Sequence, residues 1–439
     1  VASKKVAKKA ANKEPKKEPK KDEKEDKKPK RAPVTMQAPT ATPELAISKV
    51  QAVTNKEDAE RAKKLAALVN ASGGRLVTAS SLDNNYTLRR PTGIPGMDIA
   101  LGGGFPAGGA CMISGPYNAC KSWLLFRTMA MQQQLFGQST MIALHVAETQ
   151  IPYDQMLQAG MKVSLPDGVI RRYMQRDMEL GLPRWSNEKI AFLKQQVGTI
   201  HIIQGGTGEQ VLQSVLECVD SGVFNIIGVD SVTSLEPMRD ADKEMSEEDA
   251  RAARAIMMGK FWVKYVPRVN SGQNYTTLLF TQQVRQNDSQ YGREFKTTGG
   301  KATEHFKLID LVMMSGKQLK RTIRGQDYTV GKKIMFETAK GKAGTHDHMK
   351  GEFEYYYSEF MTGNVDVHSE LILHASQYGL LARTSKDVHL VNAMTGEPVP
   401  GMMAPDEMSL RECLAVDFDF ELDFRRHVMA AAGVRCLYR

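Results

Sequence analysis

The spacing of apolar positions divides the chain into stretches that obey different rules. Between residues 91 and 345, short runs rich in Ile, Val and Leu alternate with longer helical stretches: ACMISG (110–115), TMIALHVAE (140–148), TIHIIQG (199–205), FNIIGVDS (224–231) and TTLLFTQQVR (276–285). A run that is apolar throughout, rather than at every second position, belongs to a strand buried on both faces. That is the condition of a mainly parallel sheet flanked by helices, so the pattern predicts an α/β core over 91–365. Two more runs, DLVMMSGKQ (310–318) and KKIMFETAK (332–340), flank RGQD (324–327) and predict a hairpin that adds an antiparallel edge. Residues 366–439 read as a small C-terminal α/β domain whose helices are ELILHASQYGLLART (370–384) and MSLRECLAVDFDFELDFRRHVMAAAGV (408–434).

The beginning of the chain follows another rule. After Val6 there is no large hydrophobic residue before Ala32, and such a segment buries too little surface to offset its ordering entropy. A disordered tail and Pro/Thr/Ala-rich linker are expected over 1–54. KEDAERAKKLAALVNASGG (56–74) opens with acids, places Ala59, Ala62, Leu65, Ala66 and Val69 at helical spacing and ends in Gly-Gly. It predicts an N-terminal helix within a 55–90 helix and strand segment, packed on its own core or on a neighbouring subunit.

Composition changes the picture once it is located along the chain. The 439 residues are 41% hydrophobic and 25% charged, which excludes a wholly disordered chain, and no apolar run reaches the ~18 residues of a membrane span. The net charge of +9 suggests a nucleic-acid binder. Residues 1–32, however, hold thirteen Lys and one Arg against six acids, leaving the other 407 residues with 45 basic and 44 acidic side chains. The core is therefore nearly neutral, and the tail reads either as a salt-sensitive tether or as a solubilising segment. Five scattered cysteines, Cys111, Cys120, Cys218, Cys413 and Cys436, lack C-x-x-C spacing and fit a reducing compartment. The Lys-rich start has no apolar stretch for a secretory signal, so the expected location is cytoplasmic and DNA-associated, with no membrane partner.

The strongest chemical motif is GPYNACKS, Gly115 to Ser122, between an expected strand and an expected helix. Loops of the pattern G-x-x-x-x-G-K-[ST] wrap phosphates in backbone N–H groups, neutralise them with Lys and bind Mg²⁺ through Ser or Thr. Here Gly115, Pro116, Tyr117, Asn118, Ala119, Cys120, Lys121 and Ser122 fill the pattern, except that Cys120 stands where the second Gly belongs. Asp230 ends one apolar strand and is placed to hold Mg²⁺ with Ser122, although strand-end Asp residues are common. Glu148 ends another and is a candidate to activate water, or else a solvated cap.

In order, PTGIPGMDIALGGGFPAGGACMISGPYNACKS, HVAETQIP, NIIGVDSVTSL, LLFTQQVRQN, TTGGKATEHF and TAKGK resemble the RecA recombinases, and the non-Gly residue before Lys121 resembles the UvsX-type phage branch. The resemblance implies a RecA-like phosphate-loop ATPase with ATP and Mg²⁺ as cofactors. Lys121 and Ser122 would bind phosphates and Mg²⁺, Asp230 would be the second Mg²⁺ residue, and Glu148 would activate water. Gln283 would sense the γ-phosphate. Lys340 and Lys342 would reach a neighbouring subunit's ATP, with exposed surface lysines as the alternative. The family's adenine-stacking aromatic is displaced, since Gln155 occupies its place, and Tyr153 stands in for it.

The resemblance also implies two DNA-binding loops, 236–249 and 284–301. In and beside the first, Arg239 and Arg251 suit phosphate. The second interleaves Arg285, Arg293, Lys296 and Lys301 with Tyr291 and Phe295, while Gly299 and Gly300 loosen the backbone, a composition suited to sequence-tolerant single-strand binding. Eighty-two residues separate Glu148 from Asp230, and the excess falls in 165–198, an inserted helical excursion offering a partner surface or a DNA contact. The implied function is a single-stranded-DNA-dependent ATPase that assembles a homo-oligomeric helical filament and promotes pairing and strand exchange with double-stranded DNA, served by a recombination mediator and a single-strand-binding protein. The alternatives are a ring motor or helicase on the same core, or a non-catalytic ATP-binding filament that coats DNA.

Overall fold

Alternate residues of the apolar runs go to opposite faces of one sheet, and that is why the runs are unbroken. Cys111 and Ile113 join one buried cluster while Ala110 and Met112 join another on the far side. The computed structural model describes residues 88–147, 151–238, 247–269, 274–286, 295–296, 300–357 and 363–434, except 182 and 184, together with 60, 63, 64 and 67. The chain divides into two units, 1–74 and 75–439. In the first, Glu60, Lys63, Lys64 and Ala67 are helical and exposed, inside the stretch expected to be a helix. The expected tail and linker lie outside the described residues.

The strands of the second unit are, in chain order, β1 (Arg89–Arg90), β2 (Phe105–Pro106), β3 (Ala110–Gly115), β4 (Met141–Val146), β5 (Thr199–Gln204), β6 (Ile226–Asp230), β7 (Thr277–Gln283) and β8 (Arg285–Gln286). They continue with β9 (Phe295–Lys296), β10 (Ile309–Ile323), β11 (Gln326–Lys340), β12 (Lys350–Tyr356), β13 (Leu381–Arg383), β14 (Val388–Val391) and β15 (Pro398–Ala404). Eight form the central sheet in the order β12-β11-β10-β3-β7-β6-β4-β5. From β10 to β5 every neighbouring pair is parallel, and the β10–β11 and β11–β12 pairs are antiparallel. This is the mostly parallel α/β core with an antiparallel edge that the pattern predicts.

Helices Lys121–Phe136, Gly208–Ser221 and Glu247–Val269 connect the parallel strands and cover the faces. The first packs into the cluster with Leu144 and Leu279, and the other two into the cluster with Ile227 and Phe280. Local chemistry fixes their ends: Thr207 and Gln210 form a reciprocal capping box before Gly208–Ser221, and Gly222 closes that helix in the left-handed region. The edge hairpin turns on Arg324 and Gly325, both at positive φ, as a two-residue turn demands. The turn is tighter than expected, because Gln326 and Asp327 already pair with Ile323 and Thr322.

The stretch 165–198 is helical as expected, as Asp167–Glu179 and Asn187–Lys194. The C-terminal stretch differs in detail from its helical reading. Leu381–Arg383 is a strand, not a helix end, and it begins a three-stranded antiparallel sheet, β13-β14-β15. The long run 408–434 breaks into helices Glu407–Val416 and Phe418–Ala431, because the Asp417 side chain accepts from Phe420 N and starts a new helix. Leu371, Leu390, Leu414 and Phe424 of this region share a continuous core with Ile94 and Met97.

Candidate nucleotide site

Strand β3 delivers Gly115 to the carboxyl end of the sheet, and the helix that follows starts at Lys121. Between them the backbone turns through the left-handed region at Asn118 (φ 59°) and Cys120 (φ 58°). A residue with a Cβ costs about 1–2 kcal/mol in that conformation, which explains why the position favours Gly in such loops and where Cys120 departs from the rule. Cys120 supplies no side-chain cap to the helix, so the first-turn N–H groups and the positive helix end are available to an anion. Burial pushes the Cys120 thiol up to about 11, with Lys332 and Lys121 pulling it back only in part, so it brings no negative charge to the loop at neutral pH.

Lys121 Nζ donates to Pro116 O at 2.7 Å, folding the ammonium back over the loop. Tyr117 is exposed. A further cation, missed by the sequence reading, comes from the hairpin: Lys332 Nζ donates to Asn118 O at 2.5 Å and lies 5.8 Å from the Tyr355 ring centroid. Only its chain position, on an expected strand far from the loop in sequence, was visible beforehand.

Neighbouring strand ends bring the other candidates to the same end of the sheet. Gly115 of β3 pairs with Gln283 of β7, and Val284 N donates to Gly115 O at 3.1 Å. Asp230 ends β6 beside Val146 of β4, and its Oδ1 accepts from Thr281 Oγ1 of β7 at 2.5 Å. The Gln283 N–H donates to Thr233 Oγ1 at 3.0 Å, linking the end of β7 to the turn after Asp230. Ala147 N donates to Asp230 O at 2.8 Å, which ties the end of β4 to the tip of β6; Glu148 lies outside the described residues. Ligands of open α/β sheets bind at such carboxyl ends of strands. The donor set fits a nucleotide polyphosphate with Mg²⁺: an ammonium, a hydroxyl on Ser122, an uncapped helix start and a nearly buried carboxylate.

Tyr153 opens helix Tyr153–Gln158 and packs half-buried against the core. Lys340 is the last residue of β11, and Lys342 lies exposed beyond it. Of the two lysines, only Lys340 thus belongs to the strand. Lys340 Nζ donates to His305 O at 2.9 Å and to Glu304 O, and burial, with Lys342 and Lys307 nearby, lowers it to about 8. Of the DNA-loop candidates, Arg239, Tyr291, Arg293 and Gly299 lie outside the described residues. Arg251 falls within helix Glu247–Val269, and β8 and β9 pair antiparallel, Arg285 with Lys296 and Gln286 with Phe295. Gly300, at φ 73°, begins helix Gly300–Phe306, and Lys301 on it is exposed. Among the described residues no three His, Cys, Asp or Glu side chains cluster as metal ligands, and no helix is long and apolar enough to cross a membrane.

The fold is thus a mixed α/β protein with a mostly parallel central sheet, and 115–122, Asp230 and Gln283 lie at the carboxyl ends of its strands. The RecA N-terminal domain family matches residues 188–362, a span that holds Asp230, Gln283 and both lysines but begins after the divergent phosphate loop. The chain is 26% identical to Protein RecA of Fusobacterium nucleatum over 66% of each chain. It is 26% identical to that of Streptococcus thermophilus over 65% of this chain and 64% of the relative. With Protein RecA of Streptococcus mutans the identity is 25% over 77% and 78% of the two chains. The chain therefore spans just under two thirds of the first two relatives. Over these spans the chain is similar to the RecA N-terminal domain family and to RecA proteins.

Proposed function

We propose that the protein is an ATP-dependent recombinase: it assembles filaments on single-stranded DNA, hydrolyses ATP and promotes homologous pairing and strand exchange with double-stranded DNA. The observation that supports this most is the meeting of Gly115–Ser122, Gln283 and Asp230 at adjacent strand ends in a chain with RecA relatives. Lys121 and the first-turn N–H groups hold the phosphates, and Ser122 and Asp230 hold Mg²⁺, which when bound neutralises phosphate charge and orients the γ-phosphate. Glu148 accepts the proton of the attacking water, and the Gln283 amide hydrogen-bonds the γ-phosphate and relays its loss to 284–301. Lys340 and Lys342 serve a neighbour's nucleotide. Arg239, Arg251, Arg285, Arg293, Lys296 and Lys301 meet DNA phosphates while Tyr291 and Phe295 stack on bases. The non-Gly residue Cys120 before Lys121 is what aligns the chain with the UvsX-type branch; on that reading the protein acts in a host cytoplasm and is served by a mediator and a single-strand-binding protein.

The test is ATP hydrolysis with and without single-stranded DNA. The parent chain is expected to be stimulated by DNA, and Lys121→Ala to lose both hydrolysis and ATP-dependent strand exchange. Normal DNA-stimulated turnover by Lys121→Ala overturns the assignment.

A further inference from the structure

Beneath the phosphate loop runs a buried polar chain that the roles above do not use. Ser114, the residue before Gly115, donates from Oγ to Asp310 Oδ1 at 2.8 Å, and Lys307 Nζ donates to Asp310 Oδ2 at 2.5 Å. The Lys307 and Asp310 side chains are both 1% exposed. An ion pair this deep gains little net stability over apolar packing, so its placement calls for a role beyond holding the core.

Its placement is specific. Lys307 directly follows helix Gly300–Phe306, which begins where the 284–301 stretch ends, and Lys307 N donates to Thr303 O of that helix at 3.2 Å. Lys340, from the end of β11, donates to the same helix's final carbonyls, Glu304 O and His305 O. The other side of the helix meets helix Glu247–Val269, which follows the first loop: Trp262 Nε1 donates to Thr303 Oγ1 at 2.9 Å, and the Trp262 and Phe306 rings stack at 6.3 Å. One short helix is thus hydrogen-bonded to the β11 lysine and to the helix after the first loop, and through Lys307 and Asp310 to the phosphate-loop strand.

We propose that Lys307 and Asp310 are positioning residues that couple the two ligands: through Ser114 they fix helix Gly300–Phe306 to the phosphate-loop strand, so that nucleotide at 115–122 and single-stranded DNA at 284–301 report to each other. This route is separate from Gln283, and it rests on the recombinase reading. Coupling between sites is reciprocal, so it must appear both as DNA stimulation of hydrolysis and as nucleotide dependence of DNA affinity.

The experiment replaces both buried partners together, Lys307→Met with Asp310→Leu, which leaves no unpaired charge in the core. In the full chain, ATP hydrolysis is measured with and without an oligothymidylate, and oligothymidylate affinity with and without a slowly hydrolysed ATP analogue. DNA-free hydrolysis is expected within about twofold of the parent, while the stimulation ratio and the nucleotide effect on affinity each fall by about tenfold. Ratios equal to the parent's overturn the proposal, even if both rates fall in parallel. Should the double variant not fold, Ser114→Ala decides by the same ratios at smaller amplitude, since it removes one hydrogen bond without adding volume or charge. A parent chain that DNA does not stimulate overturns the recombinase reading itself, whereas a stimulated parent with unaltered variants overturns the relay alone.

Discussion

Two buried charge networks lie in the same unit and follow opposite designs. Under the phosphate loop, Lys307, Asp310 and Ser114 pair one to one at close range. At the junction with the C-terminal helices, Asp98 accepts from Thr92 N and Oγ1 at 2.7 Å and from Arg425 Nη1 at 3.3 Å, while Arg425 Nη2 donates to Glu421 at 2.8 Å. Arg127, half-buried, sits in the same field, and His368 lies 3.7 Å from Glu421. The first network is a single balanced link between strand β3 and the residue that follows helix Gly300–Phe306. The second shares protons and charges among several groups and clasps Phe418–Ala431 to the turn at 92–98. A link fails when one member goes; a shared network shifts its protonation instead.

The largest effect should come from unbalancing the first network. Asp310→Ala leaves the Lys307 ammonium buried without its carboxylate and is expected to cost about 3–5 kcal/mol in urea unfolding, whereas the matched apolar pair Lys307→Met with Asp310→Leu should lie within about 1 kcal/mol of the parent or above it. Equal losses from the single and double variants would show that packing volume, and not charge balance, governs this position.

The second network should answer to pH. Burial pushes Asp98 up to about 6 against the pull of Arg425 and the Thr92 and Gly93 donors. An unfolded Asp titrates near 4, so between about pH 4 and 6 the folded chain binds more protons and stability falls as pH rises. Glu421 runs the other way: burial raises it, yet His368 and Arg425 hold it at about 2, so its contribution is present above its ordinary value and lost as pH falls towards 2. His145 on β4, buried with no hydrogen-bond partner for either ring nitrogen among the described residues, is pushed down to about 4 by burial, and its contribution is lost as pH falls from about 6.5 to 4. Relative to the parent, Asp98→Asn should tilt the stability profile upward with rising pH by up to about 3 kcal/mol, and His145→Leu should tilt it downward by a similar amount. Melting temperatures from pH 4 to 7 read both; parallel profiles would show that neither group changes protonation on folding.

Neither network was legible in the sequence, although the sheet was. The strand runs announce themselves because both faces are buried, and Gly115, Asp230 and Gln283 were found because each terminates such a run. Lys307 and Asp310 look like an ordinary helix-end lysine and a strand-start acid; their partnership with Ser114 depends on β10 lying next to β3, a pairing across nearly two hundred residues. Lys332 was missed for the same reason. The strand Leu381–Arg383 was read into a helix because three residues are too few for periodicity to speak.

The smallest effect concerns strain at the site end of the first network. The phosphate loop holds two non-glycine residues at positive φ, Asn118 and Cys120, whereas the turn beside Asp98 meets the same demand with Gly93. Cys120→Gly should recover about 1–2 kcal/mol of backbone strain and give back about 0.5–1 kcal/mol through the freer unfolded chain. The net expectation is a gain below about 1 kcal/mol, and Cys120→Ser, which keeps the left-handed residue, should show none of it. Urea unfolding of the two variants measures the difference. A loss on Cys120→Gly would mean that the half-buried thiol, packed against the core beside Lys332, holds the loop more firmly than its backbone strains it. In that case the residue standing where the motif expects Gly is a stabilising contact of the loop, and the cost of its conformation is offset within the site itself.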